Sequence, residues 1–323
     1  MNKLKVLITG ASGFIGRNLV AKLAMRPDLE LYGTYCKTTP TGCIADPAKI
    51  RMMQVDLSDK GQVDRVVKGM DILIQAAAVT TGAKDTVTRP YIHVTDNAVM
   101  NALLYRASFE HKLRHVFFFS CTTMYASQDE PVREDDFDHQ IIDKYFGVGW
   151  TKVYNEKMCE FYSRIGSTKF TVMRHSNIYG PWDKYDLERS HVFGATVSKI
   201  MTAKDGKITV WGDGSETRDL LYISDLVEFV ELAISKQTSK FELVNIGCGR
   251  AIPIRQLVEE IIAASGRSLA ISYDLTKPSI KFNLALNIDR ARERFGWQPK
   301  VSLKDGIRKT LDWYVANVRP EAA

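Results

Sequence analysis

Apolar residues in the first half of the chain fall into short runs separated by segments of helical period. Val6-Leu7-Ile8 leads through Thr9 into Gly10-Ala11-Ser12-Gly13-Phe14-Ile15-Gly16, and Phe14, Ile15, Leu19, Val20 and Leu23 continue at helical spacing. This order predicts a strand, a tight turn and a helix. Further strands are expected at 29–35, 52–57 and 71–78, with a helix over 61–69 between the last two. A long helical pattern over 91–112 leads into Val116-Phe117-Phe118-Phe119-Ser120, apolar on both faces and therefore expected at the centre of a sheet. A helix over 152–164 and a strand over 169–174 extend the alternation, which predicts a parallel, doubly wound α/β sheet. Beyond Gly180-Pro181 the alternation loosens into a polar stretch from Tyr185 to Ser190, where a second lobe is expected to begin. The expected division is a first domain over 1–173, to which 222–253 returns, and a smaller lobe formed mainly by 174–323.

The glycine run carries the first chemical signal. A residue without Cβ lets a ligand approach the backbone, and the unpaired N–H groups of a helix start attract anions. Gly10, Ser12, Gly13, Phe14, Ile15 and Gly16 are therefore candidates to cradle a dinucleotide pyrophosphate; the alternative is a tight turn that binds nothing. The second strand ends in Thr34, Tyr35, Cys36 and Lys37, with a cation and no carboxylate where a ribose 2′ position would lie, so NADP(H) is favoured over NAD(H). Asp56 and Leu57 suit an adenine edge and face. Ala76, Ala77 and Ala78 are small enough for a cofactor to lie against their backbone, although plain packing explains them equally well.

The formal charge of +6 arises from 44 basic and 38 acidic residues scattered along the chain. Without a basic block a nucleic-acid partner has little support, whereas a polyanionic small substrate is compatible. Five cysteines, 36, 43, 121, 159 and 248, form no close pair with metal-ligand spacing, which points to reduced thiols, a cytoplasmic setting and no bound metal. No run reaches the ~20 apolar residues of a membrane span, and no signal peptide is expected.

With these features in order, the chain resembles the extended short-chain dehydrogenase/reductase family of nucleotide-sugar enzymes, and within it the fucose-synthase type. The resemblance rests on Thr9 through Gly16, Asp56-Leu57, Ala76-Ala77-Ala78, Thr151-Lys152, Arg174 through Pro181, Ser190-His191-Val192, Arg218 to Asp225 and Phe295 to Pro299. It implies a Rossmann domain with a C-terminal α/β substrate lobe, and NADP(H)-dependent 4-keto reduction or C3/C5 epimerisation of a nucleotide-activated keto-deoxy sugar. It further implies a homodimer joined through the helices bearing Asn101 and Lys152, and a place in assembling sugars for surface polysaccharides or glycosides.

Roles follow from the same resemblance. His191 would be a general acid in epimerisation, with a helix-capping or core histidine as the alternative. Lys152 would bond the nicotinamide ribose, and His175 would line the nicotinamide site unless it is simply a buried structural imidazole. Asn177, Arg218 and Lys281 would hold the nucleotide diphosphate; an ion pair with Asp219 or Asp225 is the other reading of Arg218.

One part of the pattern is altered. The family delivers a proton from a tyrosine four residues before the lysine, and here that position is Val148. Aligning on Tyr125 puts Cys121 at the usual Ser/Thr position and Thr123 at the epimerisation cysteine, with Thr122 between them. Tyr145 and Tyr154 lack the required spacing, and their offsets are expected to point elsewhere. Three readings follow: an enzyme in which Cys121, Thr123 or His191 takes an unusual acid/base role, an epimerase that retains its NAD(P) without net reduction, or a relative that only binds.

Overall fold

In the computed structural model, residues 3–37, 47–80, 89–187, 190–276 and 283–318 are described. Strands β1 (Leu4–Thr9), β2 (Leu29–Tyr35), β3 (Ile50–Gln54), β4 (Ile72–Gln75), β5 (His115–Ser120) and β6 (Lys169–His175) pair in parallel in the spatial order 3-2-1-4-5-6. After the short strands β7 (Asn177–Tyr179), β8 (Lys207–Trp211) and β9 (Thr217–Tyr222), β10 (Phe241–Ile246) joins the large sheet beside β6, again in parallel. Strand order reverses between β1 and β4, and in open parallel sheets the crevice at such a reversal is where ligands bind.

Every residue of β5 is buried, because consecutive side chains enter opposite cores. Phe117 and Phe119 pack with Leu19 and Val20 of α1 (Phe14–Leu23) and, later in the chain, Leu226 and Phe229 of the helix over 223–236. Val116 and Phe118 pack on the other side with Val63 of α2 (Lys60–Val67), Leu104 of α3 (Thr95–Glu110) and Cys159 of α4 (Phe146–Ile165). The two-faced apolar run is thus the physical cause of the two helical layers.

The remaining elements are α5 (Val192–Thr202), α6 (Ile223–Lys236), β11 (Ala251–Pro253), α7 (Ile254–Ser265), β12 (Ala270–Asp274), α8 (Asp289–Phe295) and α9 (Leu303–Asn317). Strands β11, β9 and β7 form one small sheet, and β12 pairs with β8 in another. Phe295 and Trp297 lie against Phe229, with ring centroids 5.0 and 5.8 Å apart, so α8 is fastened to α6.

Several expected boundaries move. The strand expected over 71–78 stops at Gln75, because the alanines leave the ladder to pass over the glycine turn. The strand expected over 52–57 ends at Gln54, leaving Asp56 and Leu57 just beyond it. The helix expected from 152 begins at Phe146, two turns earlier.

Candidate active site

The glycine turn is a backbone cradle. Gly10 has φ +62°, and a Cβ there would lie 2.7 Å from the Ala77 Cα. A Cβ on Gly16 would come within 2.1 Å of the Gly10 carbonyl oxygen. Gly13 is the N-cap of α1 and brings no side chain to its first-turn N–H groups, leaving the helix start open to an anion. Ser12, Phe14 and Ile15 complete the turn, and Ala76 and Ala77 pack across it, with the Ala77 N–H donating to Thr9 Oγ1 at 3.4 Å and Ala78 exposed beyond. These residues fit a dinucleotide, since its pyrophosphate needs open N–H groups and no intruding Cβ.

At the end of β2, the exposed Lys37 interacts electrostatically with Asp56, whose carboxylate accepts from the Ser58 N–H at 2.9 Å and hydroxyl at 2.6 Å. The Ser58 hydroxyl bond leads the causes that hold Asp56 below the usual carboxylate range. Leu57 is buried beside it.

Beyond the C-terminal ends of β5 and β6, a second group of side chains converges. Lys152 Nζ donates to the Phe119 carbonyl at 2.8 Å and lies 4.9 Å above the Phe118 ring centroid. Burial lowers its pKa, opposed by nearby Cys121 and Glu156. Cys121 Sγ and Thr123 Oγ1 are 3.0 Å apart, with Thr122 between them. His175 Nδ1 is 2.8 Å from the Ser176 carbonyl, which fixes the proton on Nδ1 and leaves Nε2 as an acceptor. Burial, with Lys152 and His191 nearby, pushes the His175 pKa down to about 4.

His191 stands at the N-cap of α5 but makes no side-chain capping bond. Its ring is open to solvent, unlike a core histidine. Partial desolvation, with Lys184 nearby, lowers its pKa. Lys184 in turn donates to the Thr80 carbonyl at 2.8 Å, tying the loop after β7 to the segment after β4.

Asn177 and Arg218 stand on neighbouring strands β7 and β9, where Asn177 Nδ2 donates to the Asp219 carbonyl at 3.2 Å. Neither acidic neighbour is given over to Arg218. The Asp219 carboxylate accepts the N–H groups of Cys248 at 2.7 Å, Leu286 at 3.1 Å and Gly249 at 3.3 Å, and that of Asp225 accepts Val301 N–H at 3.0 Å. Lys281 lies outside the described residues.

A buried ion pair sets the floor of this site. Arg174 donates to Glu156 through Nη2 at 2.6 Å and Nε at 3.0 Å, to the Tyr125 hydroxyl at 2.9 Å and to the Glu134 carbonyl at 3.0 Å. Ser120 donates to Glu156 at 2.5 Å, and Tyr125 donates to Asn245 Oδ1 at 2.8 Å. Burial disfavours the guanidinium charge, but the Glu156 bonds outweigh it and raise the Arg174 pKa. Tyr125, held on both sides and fully buried, is a structural member of the network.

The residue that spacing alone left out is Tyr145. Contrary to the expectation that its offset points away, it precedes α4 immediately and interacts electrostatically with both Cys121 and Arg218. Tyr145 closes the short 3-10 turn Asp143–Tyr145 and caps the N-terminus of α4. Tyr154 is 57% exposed on the outer face.

A parallel sheet in the order 3-2-1-4-5-6 with this cradle at its first turn defines a Rossmann-type dinucleotide-binding fold. The UDP-glucose 4-epimerase of Thermotoga maritima, solved with UDP-glucose, shares it with a TM-score of 0.87 at 22% identity, over 98% of this chain and 100% of that one. The model of the NAD dependent epimerase/dehydratase family matches residues 6–247, and the chain belongs to that family. Among its relatives are GDP-L-colitose synthase of Yersinia pseudotuberculosis, 27% identical over 97% of this chain and 98% of that protein, and GDP-L-fucose synthase of Sinorhizobium fredii, 27% identical over 97% and 96%. Among the described residues no helix is long and apolar enough to cross a membrane, and no group of three or more His, Cys, Asp or Glu side chains is placed to hold a metal.

Proposed function

We propose that this protein is an NADP(H)-dependent enzyme that reduces, epimerises or both reduces and epimerises a nucleotide-activated keto-deoxy sugar, in the manner of GDP-L-fucose and GDP-L-colitose synthases. The observation that carries the reading is the glycine cradle at the first turn together with Lys152, anchored to the Phe119 carbonyl, and the Cys121–Thr123 pair beyond β5.

In this reading Gly10 to Gly16 hold the pyrophosphate of the cofactor, whose nicotinamide supplies a hydride for a carbonyl carbon. Asp56 and Leu57 border the adenine, Lys37 pairs with a 2′-phosphate, and Ala76 to Ala78 leave the backbone open to the ring system. Lys152 orients the ribose end, and His175 presents Nε2 to the nicotinamide. Asn177, Arg218 and Lys281 hold the substrate diphosphate, for which a guanidinium fork is suited. His191 moves the proton on the carbon beside the keto group, where neutral imidazole is an effective acceptor and its conjugate acid the returning donor. Cys121 and Thr123, 3.0 Å apart, are the other candidates for an acid/base role.

Val148, one turn before Lys152, favours a second reading in which cofactor is retained and no net reduction occurs. We also propose a homodimer. Tyr154, Phe161 and Ile165 on α4 and Val99 on α3 are all more than two-fifths exposed, and pairing these helices with those of a second copy covers them.

The test is incubation with GDP-4-keto-6-deoxymannose in deuterated water, with and without NADPH, followed by mass spectrometry of the sugar nucleotide. Reduction supports the first reading and deuterium uptake without reduction the second. The absence of both changes points to another sugar nucleotide or to a protein that only binds.

A further inference from the structure

We infer that Gln75 is a positioning residue for the cofactor: its side-chain amide sets the height of residues 76–79 above the glycine turn, and with it the width of the cleft that a dinucleotide enters. The inference rests on the dinucleotide reading of that turn and assigns the cleft its support.

The geometry begins where β4 ends. At Ala77 the chain has left the sheet, and the Gln75 side chain turns back to meet both of its backbone groups. Oε1 accepts the Ala77 N–H at 3.3 Å, shared with Thr9 Oγ1, and Nε2 donates to the Ala77 carbonyl at 3.1 Å. The amide is closed on its far side as well: Oε1 accepts the Thr9 hydroxyl, and Nε2 donates to Asn101 Oδ1 of α3 at 2.6 Å. A backbone N–H needs an oxygen and a carbonyl needs an N–H, so Ala77 fixes which end of the amide lies where. Thr9, Gln75 and Asn101 are only 0, 2 and 3% exposed, and a buried polar network with its amide fully engaged resists distortion. Two residues on, Asn97 of α3 does the same for Val79, accepting its N–H at 2.9 Å and donating to its carbonyl at 3.0 Å. Side-chain amides thus stand in for the ladder that the segment has left.

What the amide holds lies directly on the cradle. A Cβ on Gly10 would come within 2.7 Å of the Ala77 Cα and 2.9 Å of its nitrogen, so the two backbones are already in contact. Ala77 cannot sink without striking Gly10, and the Gln75 bonds keep it from lifting away. Asn101 makes no bond to residues 76–79 among the described residues and reaches them through Gln75.

The experiment compares the full-length protein with Gln75→Met, Asn101→Ala and the double variant. Dissociation constants for NADPH and NADH are measured by fluorescence titration, well below the melting temperature recorded for each protein. Gln75→Met keeps the length of the side chain and removes both bonds to Ala77, so binding of the preferred dinucleotide is expected to weaken about tenfold to a hundredfold. Asn101→Ala leaves those bonds and removes their anchor, for an expected loss of about twofold to tenfold. Because Asn101 acts through Gln75, the double variant is expected to bind no more weakly than Gln75→Met. A purely structural network would lower the melting temperatures and leave the affinities of the folded proteins unaltered, and that result overturns the inference. Losses that multiply in the double variant overturn it too, since Gln75 would then not be the link. If Gln75→Met does not fold, Asn101→Ala decides alone: weakened binding upholds the inference and unaltered binding overturns it. An unaltered protein that binds neither dinucleotide overturns the cofactor reading itself, and this inference with it.

Discussion

The Lys152 ammonium is anchored to the Phe119 carbonyl, 2.8 Å away, so the middle of α4 is pinned to the C-terminal end of β5. The bond holds a cation at the edge of the sheet where a ligand can share its remaining donors. Its Nζ lies over the Phe118 ring, so Lys152→Met removes the charge from that position and leaves an apolar side chain there. We expect NADPH affinity to fall roughly tenfold to a hundredfold, the worth of a hydrogen bond from a charged group. Fluorescence titration measures it. Melting temperature separates this from unfolding, because the orphaned Phe119 carbonyl costs about 1–3 kcal/mol and not the whole fold.

Gly16 tests the cradle. A methyl group 2.1 Å from the Gly10 oxygen and 2.8 Å from the Ala11 Cα has no flexible side chain to displace, so the turn itself must shift. Gly16→Ala is expected to destabilise the protein by about 1–3 kcal/mol and to abolish measurable dinucleotide binding. Gly61→Ala is the contrast: its Cβ meets only Asp59 Oδ1 at an ordinary 3.4 Å within α2, so urea unfolding is expected to show a gain of about 0.5–1 kcal/mol.

What could be read from the sequence follows from how local each cause is. Strand β2 coincides with the expected range 29–35, because its limits are written in neighbouring residues. The alanines after β4 could not be ended correctly, since what stops the strand is Gly10, more than sixty residues earlier in the chain. Lys152, His175 and His191 were legible as single residues, but their electrostatic contact depends on three elements meeting at one sheet edge. Tyr145 was set aside because it lacks the spacing of the family's tyrosine, and spacing carries no information about the turn that closes just before α4. The Arg174–Glu156 pair gave no spacing signal at all, because one partner is on a strand and the other on a helix.

Lys37 tests cofactor choice. Its ammonium is exposed and its electrostatic neighbour Asp56 is already bonded to Ser58, so the cation is available to a 2′-phosphate. Lys37→Ala is expected to weaken NADPH binding about tenfold while leaving NADH unchanged. The preference should also shrink as salt is raised, since an exposed pair is screened. Calorimetry with both cofactors at two salt concentrations measures it, and equal losses for the two would remove Lys37 from the 2′ position.

His115 gives a pH signature of the fold itself. The ring is 4% exposed, with Nε2 2.7 Å from Thr171 Oγ1, and burial with Lys169 nearby pushes its pKa down to about 3. Below the ordinary histidine value of about 6.5 the unfolded chain takes up a proton that the folded chain refuses, so stability from this site falls as pH drops from about 6.5 toward 3. Asp183 and Asp219, pushed up to about 7 and about 6 by burial, act with the opposite sign, since the folded state holds their protons longer as pH rises. The diagnostic quantity is therefore a difference between proteins. His115→Gln keeps a hydrogen-bonding end without a titrating ring, and across pH 4–6 its unfolding free energy is expected to diverge from that of the unaltered protein by up to about 1.4 kcal/mol per pH unit. Urea midpoints at half-unit intervals measure the divergence, and parallel curves would mean that this imidazole is protonated in the native state.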